Sequence, residues 1–119
     1  MRILIAEDER ITRTTLSRQL VSWGHNVTSA EDGQQAWELF GTGEFDIIIT
    51  DHQMPEMSGL DFVKNLYNTS FGGRILVHST LLTPGEHATY EALNVAAIVP
   101  KDGKLDRLTN AIIALQQMS

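Results

Sequence analysis

Apolar residues fall along this chain in two alternating rhythms. Ile3-Leu4-Ile5-Ala6, Ile47-Ile48-Ile49-Thr50 and Ile75-Leu76-Val77-His78 are short, nearly continuous apolar runs rich in Ile and Val. Strands that are apolar on both faces belong in a parallel sheet covered by helices on each side. Asn26-Val27-Thr28-Ser29-Ala30 and Ala96-Ala97-Ile98-Val99 are weaker runs that fit the same role. Between the runs the spacing turns helical. Ile11, Leu16, Leu20 and Trp23 mark a first helix, Ala36, Leu39 and Phe40 a second, and Leu60, Val63, Leu66 and Tyr67 a third. Leu105, Leu108, Ile112 and Leu115 make the cleanest amphipathic stripe, at i, i+3, i+7 and i+10.

Local start and stop signals agree with this division. Ser58-Gly59-Leu60-Asp61 and Thr83-Pro84-Gly85-Glu86 both read as capping boxes, the second with Pro at the first helical position. Asp32 is placed to cap the second helix, and Asn94 to take the left-handed conformation after a short fourth one. Five strand–helix units in strict alternation predict right-handed crossovers and a doubly wound α/β fold, (βα)5, with helices on both faces of a parallel sheet. Such sheets place their ligand sites outside the carboxyl ends of the strands.

Composition narrows the chemistry. The chain has 119 residues, no cysteine, and nine Lys/Arg against fifteen Asp/Glu, a formal charge of −6. We expect one domain over residues 1–119, since no repeat, linker or low-complexity tract divides it. Disulfides, thiolate zinc sites and cysteine nucleophiles are excluded. The acidic balance disfavours direct binding of nucleic acid. No apolar run approaches the roughly 20 residues needed to cross a bilayer, and we expect no signal peptide and no membrane association.

The strand ends carry the chemistry. The first strand runs into Glu7-Asp8-Glu9, the third into Thr50-Asp51, the fourth into His78-Ser79-Thr80, and the last is followed by Lys101. Acidic residues at such places are commonly solvated or cap helices, and Glu9 is assigned to that role. All four ends being polar together calls for more. Two like charges about 4 Å apart repel by roughly 4 kcal/mol at an effective dielectric near 20. Glu7, Asp8 and Asp51 sum to three negative charges, and Lys101 returns one positive. A divalent cation resolves the excess, and all-oxygen ligands suit Mg²⁺ or Mn²⁺. A metal beside a carboxylate, with hydroxyl and ammonium donors, forms a receptor for phosphoryl oxygens, and Asp51 can then act as the nucleophile that forms an acyl phosphate.

The segment from Ile47 to Gly59, Ile-Ile-Ile-Thr-Asp-His-Gln-Met-Pro-Glu-Met-Ser-Gly, resembles the phosphoacceptor region of bacterial response-regulator receiver domains, of the kind found in chemotaxis receivers. The start, Ile3 to Glu9, resembles the family's acidic-pair region, and the likeness extends over essentially the whole chain. The resemblance implies a flavodoxin-like strand order 2-1-3-4-5. It implies that Asp51 accepts a phosphoryl group from a sensor histidine kinase or histidine phosphotransfer protein of a two-component system. Glu7, Asp8 and Asp51, with the backbone carbonyl of Gln53, would hold Mg²⁺, and Ser79 and Lys101 would bind phosphoryl oxygens. Phosphorylation would shift the surface of helix 4, strand 5 and helix 5, controlling a downstream partner or fused output domain, or pairing two copies through that face. The resemblance implies a cytoplasmic switch rather than an enzyme. The chain closes after its last helix at Gln116-Gln117-Met118-Ser119, as either a stand-alone receiver or part of a longer regulator.

Several positions depart from the family. Ile98 stands where an aromatic ring usually swings with the hydroxyl, and a core role is expected for it instead. Asp102 follows Lys101 where Pro is usual, and Pro100 precedes it, so a trans bond is expected there. Glu7 replaces the commoner Asp and can route its metal contact through water, while Asn94 stands for Gly. Gln53 and Leu81 occupy positions that tune attack of water on the acyl phosphate, and an apolar Leu81 predicts slow loss. Trp23 and Trp37 are expected to pack on helices. His25, His52, His78 and His87 lack metal-site spacing and read as surface or packing residues, with His52, beside Asp51, placed to meet an incoming partner. A phosphatase acting on small substrates is disfavoured by Gln53, where such enzymes commonly carry a second acid. A phosphate-independent scaffold is disfavoured by the retention of Asp51 and the acidic pair.

Overall fold

A computed structural model describes residues 1–117; Met118 and Ser119, on which the chain's end falls, lie outside the described residues. Ten elements alternate without exception: β1 (Arg2–Ala6), α1 (Arg10–Ser22), β2 (Asn26–Ala30), α2 (Gly33–Thr42), β3 (Ile47–Thr50), α3 (Gly59–Tyr67), β4 (Arg74–Ser79), α4 (Pro84–Ala92), β5 (Ala97–Pro100) and α5 (Asp106–Gln117). All pairings are parallel, in the order β2-β1-β3-β4-β5. The fold is therefore the flavodoxin-like α/β arrangement, with the strand order turning at β1 and β3.

The central strands β1, β3 and β4 are apolar on both faces because both faces are covered. Ile3, Ile5, Ile47, Ile49, Leu76 and Val99 pack with Leu16 and Leu20 of α1 and Leu108, Ile112 and Leu115 of α5. Leu4, Ala6, Ile48, Ile75 and Val77 point the other way, against Ala36 of α2, Phe62, Val63 and Leu66 of α3, and Tyr90 of α4. Full burial of such a side chain stabilises by about 1.5–3 kcal/mol, so each central strand contributes to two cores at once. The α5 stripe is buried from Leu108 onward, and Leu105 sits just before the helix, half-buried.

Three marker residues of the helical pattern are not core. Ile11, Tyr67 and Trp23 are 77%, 54% and 41% exposed. Ile11 lies in the first turn of α1, whose buried residues are Leu16 and Leu20 one and two turns on. Trp23 is past the last turn, where its N–H donates to the Leu20 carbonyl and the Gly24 N–H to that of Val21. Trp37 does pack, stacked on Phe40 at 5.7 Å.

The caps follow the sequence closely. Asp32 accepts the Gln35 N–H, and Thr83 with Glu86 forms a complete capping box. Ser58 accepts the Asp61 N–H but makes only that half of a box, because Asp is one methylene shorter than Glu. Asn94 takes φ 61°, and no cis peptide bond occurs among the described residues, Lys101–Asp102 included. Ile98 is half-buried against the layer that holds Tyr90.

Candidate functional site

The ladder of the sheet does not stop at the last strand residue. Glu7 N–H donates to the Ala30 carbonyl at 3.1 Å, Asp51 N–H to Ala6 at 2.9 Å, and Lys101 N–H to Ser79 at 2.8 Å. Each residue just beyond a strand is thus held in register by the neighbouring strand. Ala6 already stands opposite Thr50, and Ser79 opposite Pro100. The parallel register therefore delivers Glu7, Asp51, Ser79 and Lys101 to one edge.

Their side chains meet there. Lys101 Nζ lies 2.7 Å from Glu7 Oε1 and 2.7 Å from Asp51 Oδ2. Glu7, Asp8 and Asp51 each offer a carboxylate oxygen, all within 4.8 Å of one another. Glu7 and Asp51 are buried, and Asp8 is exposed at the rim. Ser79 is buried at the end of β4, while Gln53 sits exposed in the loop after Asp51.

The electrostatics show an unmet demand. Burial pushes the Glu7 carboxyl up to about 7; hydrogen bonds from Lys101 and the Glu9 N–H oppose this, and the Asp51 charge adds to it. Burial lowers the Lys101 ammonium, but hydrogen bonds to Asp51 and Glu7 outweigh it and leave the pKa raised. One ammonium thus serves two buried carboxylates without neutralising both. The donor set is hard oxygen with an exposed member at its mouth, which fits a divalent cation of the Mg²⁺ type.

Local packing fixes Asp51. Asp51 Oδ1 accepts the His52 N–H at 2.6 Å, so with Lys101 on Oδ2 both carboxylate oxygens are held. Gly59 N–H donates to the His52 carbonyl at 2.8 Å. A Cβ on Gly59 would stand 1.8 Å from the Asp51 carbonyl oxygen, so only glycine lets α3 start this close to the end of β3.

Two contributors were not legible from spacing. Arg13, one turn along α1 from Glu9, donates to the Glu7 carbonyl at 2.9 Å and holds the acidic loop from below. His52 does not face incoming partners: its ring is turned inward and the residue is only 7% exposed, with Nδ1 2.6 Å from the Tyr90 hydroxyl and Nε2 2.7 Å from Glu86 Oε2. The Thr83 N–H and the His52 ring hold the Glu86 carboxyl below its ordinary range. Glu9 is the N-cap residue of α1 and accepts the Thr12 hydroxyl. His78 is buried with Nε2 unpartnered among the described residues, and burial together with Lys101 lowers its pKa to about 4. His25 is buried against the amino terminus, while exposed His87 pairs with Glu91 at 2.9 Å. Leu81, in the loop after Ser79, is 84% exposed. No helix among the described residues is long and apolar enough to cross a membrane.

Comparison with known proteins bears on the same residues. Residues 3–113 match the family model described as "Response regulator receiver domain". The chain is 33% identical over 113 residues to the DNA-binding transcriptional regulator NtrC of Azospirillum brasilense, covering 92% of this chain but 23% of that protein. Among solved structures, the chemotaxis response regulator CheY4 of Vibrio cholerae superposes with a TM-score of 0.87 at 27% identity, covering 96% of this chain and 97% of that one. The response regulator TrrA of Thermotoga maritima, solved in complex with Mg²⁺-BeF, superposes with a TM-score of 0.82 at 25% identity, covering 96% and 97%. The chain belongs to the response regulator receiver domains, the phosphorylation-activated switches of two-component signalling.

Proposed function

We propose that Asp51 is the phosphoacceptor of this switch and that Glu7, Asp8 and Asp51 hold the Mg²⁺ that its loading requires. The observation that carries this reading is the single Lys101 ammonium, 2.7 Å from each of two buried carboxylates. When bound, Mg²⁺ supplies positive charge to the phosphoryl oxygens. The Gln53 backbone carbonyl lies in the loop next to Asp51 and joins the metal ligands in this reading.

Asp51 acts as the nucleophile. One of its carboxylate oxygens attacks phosphorus, and the phosphorus–nitrogen bond of a donor phosphohistidine breaks. The electron pair returns to the imidazole nitrogen, which takes a proton. Lys101 pairs with a phosphoryl oxygen, and the Ser79 hydroxyl donates to another. The donor is a sensor histidine kinase or histidine phosphotransfer protein. Gln53, two residues after Asp51, has no acidic proton to give a leaving group, which favours a switch over turnover of small phosphate esters.

The face of α4, β5 and α5 passes the change to a downstream partner or fused output domain. Loading shifts a pre-existing equilibrium of that face by its differential affinity for the two states.

Mass spectrometry after incubation with acetyl phosphate and Mg²⁺ tests the reading. One phosphoryl adduct is expected in wild type, and none in Asp51→Asn or without metal. A wild-type chain that takes no phosphoryl group, from acetyl phosphate or from a panel of sensor kinases, would favour the scaffold reading instead.

A further inference from the structure

The residue after the acceptor is tied into helix α4 rather than left in solvent. His52 uses its N–H on Asp51 Oδ1 at 2.6 Å, and both of its ring nitrogens on α4. A carboxylate only accepts, so Nε2 carries the ring proton and donates to Glu86, while Nδ1 accepts the Tyr90 hydroxyl proton. A neutral imidazole therefore satisfies every partner. Tyr90 is fully buried, and its ring meets His52 edge-on at 5.6 Å. A hydroxyl in that position needs a partner, and His52 is the one it has.

Glu86 extends the connection. Its other oxygen accepts the Thr83 N–H at 2.9 Å, and its own N–H donates to Thr83 Oγ1 at 3.1 Å. The same carboxylate thus caps α4 and holds His52. An unbroken line of hydrogen bonds runs from Asp51 through His52 and Glu86 to Thr83. Thr83 is also where the loop leaving Ser79 enters α4. Meanwhile Ile98 on β5 carries no ring or hydroxyl to report the state of that loop.

We propose that His52 is a positioning residue for Asp51, and that the His52–Tyr90–Glu86 clamp is the link by which loading of Asp51 moves helix α4. The inference rests on the acceptor role proposed for Asp51. Loading changes the charge and direction of the Asp51 oxygen that the His52 N–H holds. The ring, fixed at both nitrogens, has no slack, so the displacement passes to Tyr90 and to the first turn of α4. Cutting one bond of the clamp leaves Asp51 able to load while the α4 response weakens.

Amide NMR of the chain with and without Mg²⁺ and beryllofluoride tests this. In wild type, shifts are expected both at Lys101 and along residues 84–92. In Tyr90→Phe, which keeps the ring and removes the hydroxyl, the Lys101 shifts persist. The α4 response weakens, its two-state ratio falling about fivefold, the factor expected for one net hydrogen bond. Full-sized α4 shifts in Tyr90→Phe, even with a lowered melting temperature, would show a merely structural hydroxyl and overturn the link. Should Tyr90→Phe not fold, Glu86→Gln on the half-exposed side of the clamp gives the same reading. The wild-type His52 ring nitrogens give an independent one: resonances unmoved while α4 shifts fully would also overturn it. Absence of any Lys101 shift in wild type would instead defeat the acceptor assignment, and the link with it.

Discussion

At each end of the sheet one cation sits between two carboxylates, and the two ends behave in opposite ways. At the amino end Arg2 reaches Glu44 at 2.7 Å and Asp46 at 3.3 Å, with side chains 47%, 83% and 39% exposed. At the carboxyl end Lys101 reaches Glu7 and Asp51, both at 2.7 Å, with side chains 16%, 4% and 9% exposed. Hydrogen bonds from Arg2 hold the Asp46 carboxyl below its ordinary range, whereas burial pushes Glu7 up to about 7. The larger cleft, about 810 Å³, lies at the Arg2 end, against about 350 Å³ beside Lys101. Charge pairing and concavity alone thus do not single out the proposed site. What distinguishes the edge proposed to be functional is charge removed from water without full compensation, a state that a structural ion pair avoids.

The largest contrast is expected from removing each cation. Lys101→Ala strands two buried carboxylates and should cost about 3 kcal/mol in urea unfolding without metal, with part regained on adding Mg²⁺. Loss of less than about 1 kcal/mol would place Lys101 with the surface pairs.

Two buried groups at the carboxyl end also respond to pH. Glu7 keeps its proton to about 7 in the fold and to about 4.5 when unfolded. Its contribution to stability is therefore full below about pH 4.5 and lost as pH rises through about 7. His78 runs the other way: ordinary at 6.5 and lowered to about 4, it contributes above 6.5 and is lost as pH falls through about 4. Unfolding measured in a chelator should show Glu7→Gln flattening the decline on the higher-pH side and His78→Val flattening the acid side. Unchanged profiles in both variants would mean that burial does not govern these groups. The smallest effect is expected at the other end of the sheet, where Arg2→Ala should cost under about 1 kcal/mol by the same unfolding measurement, more so at low salt.

How much of this was legible in the sequence depends on the range of the interaction. Strand runs such as Ile47-Ile48-Ile49 and caps such as Thr83 with Glu86 are local, and the structure places them where the pattern did. Glu7, Asp51, Ser79 and Lys101 could be brought together because a parallel sheet delivers strand ends to one edge. The strand order needed the family resemblance, since alternation alone does not say where the sheet reverses. Ile11 and Trp23 fit a helical stripe yet lie exposed, because periodicity marks a face without marking where the sheet's cover ends. The partners of His52 lie 34 and 38 residues away on α4, beyond any spacing rule. Arg13 acts on a backbone carbonyl, which leaves no mark in a side-chain pattern.

In the proposed reading the carboxyl edge is short of positive charge and a divalent cation completes it. Calorimetric titration of the wild-type chain with Mg²⁺, at about pH 6 and about pH 8, tests this without any phosphoryl donor. One bound ion is expected, tighter at the higher pH and with protons released as Glu7 ionises, with a pH dependence that disappears in Glu7→Gln. Equal affinity at the two pH values, or no binding at either, would contradict it.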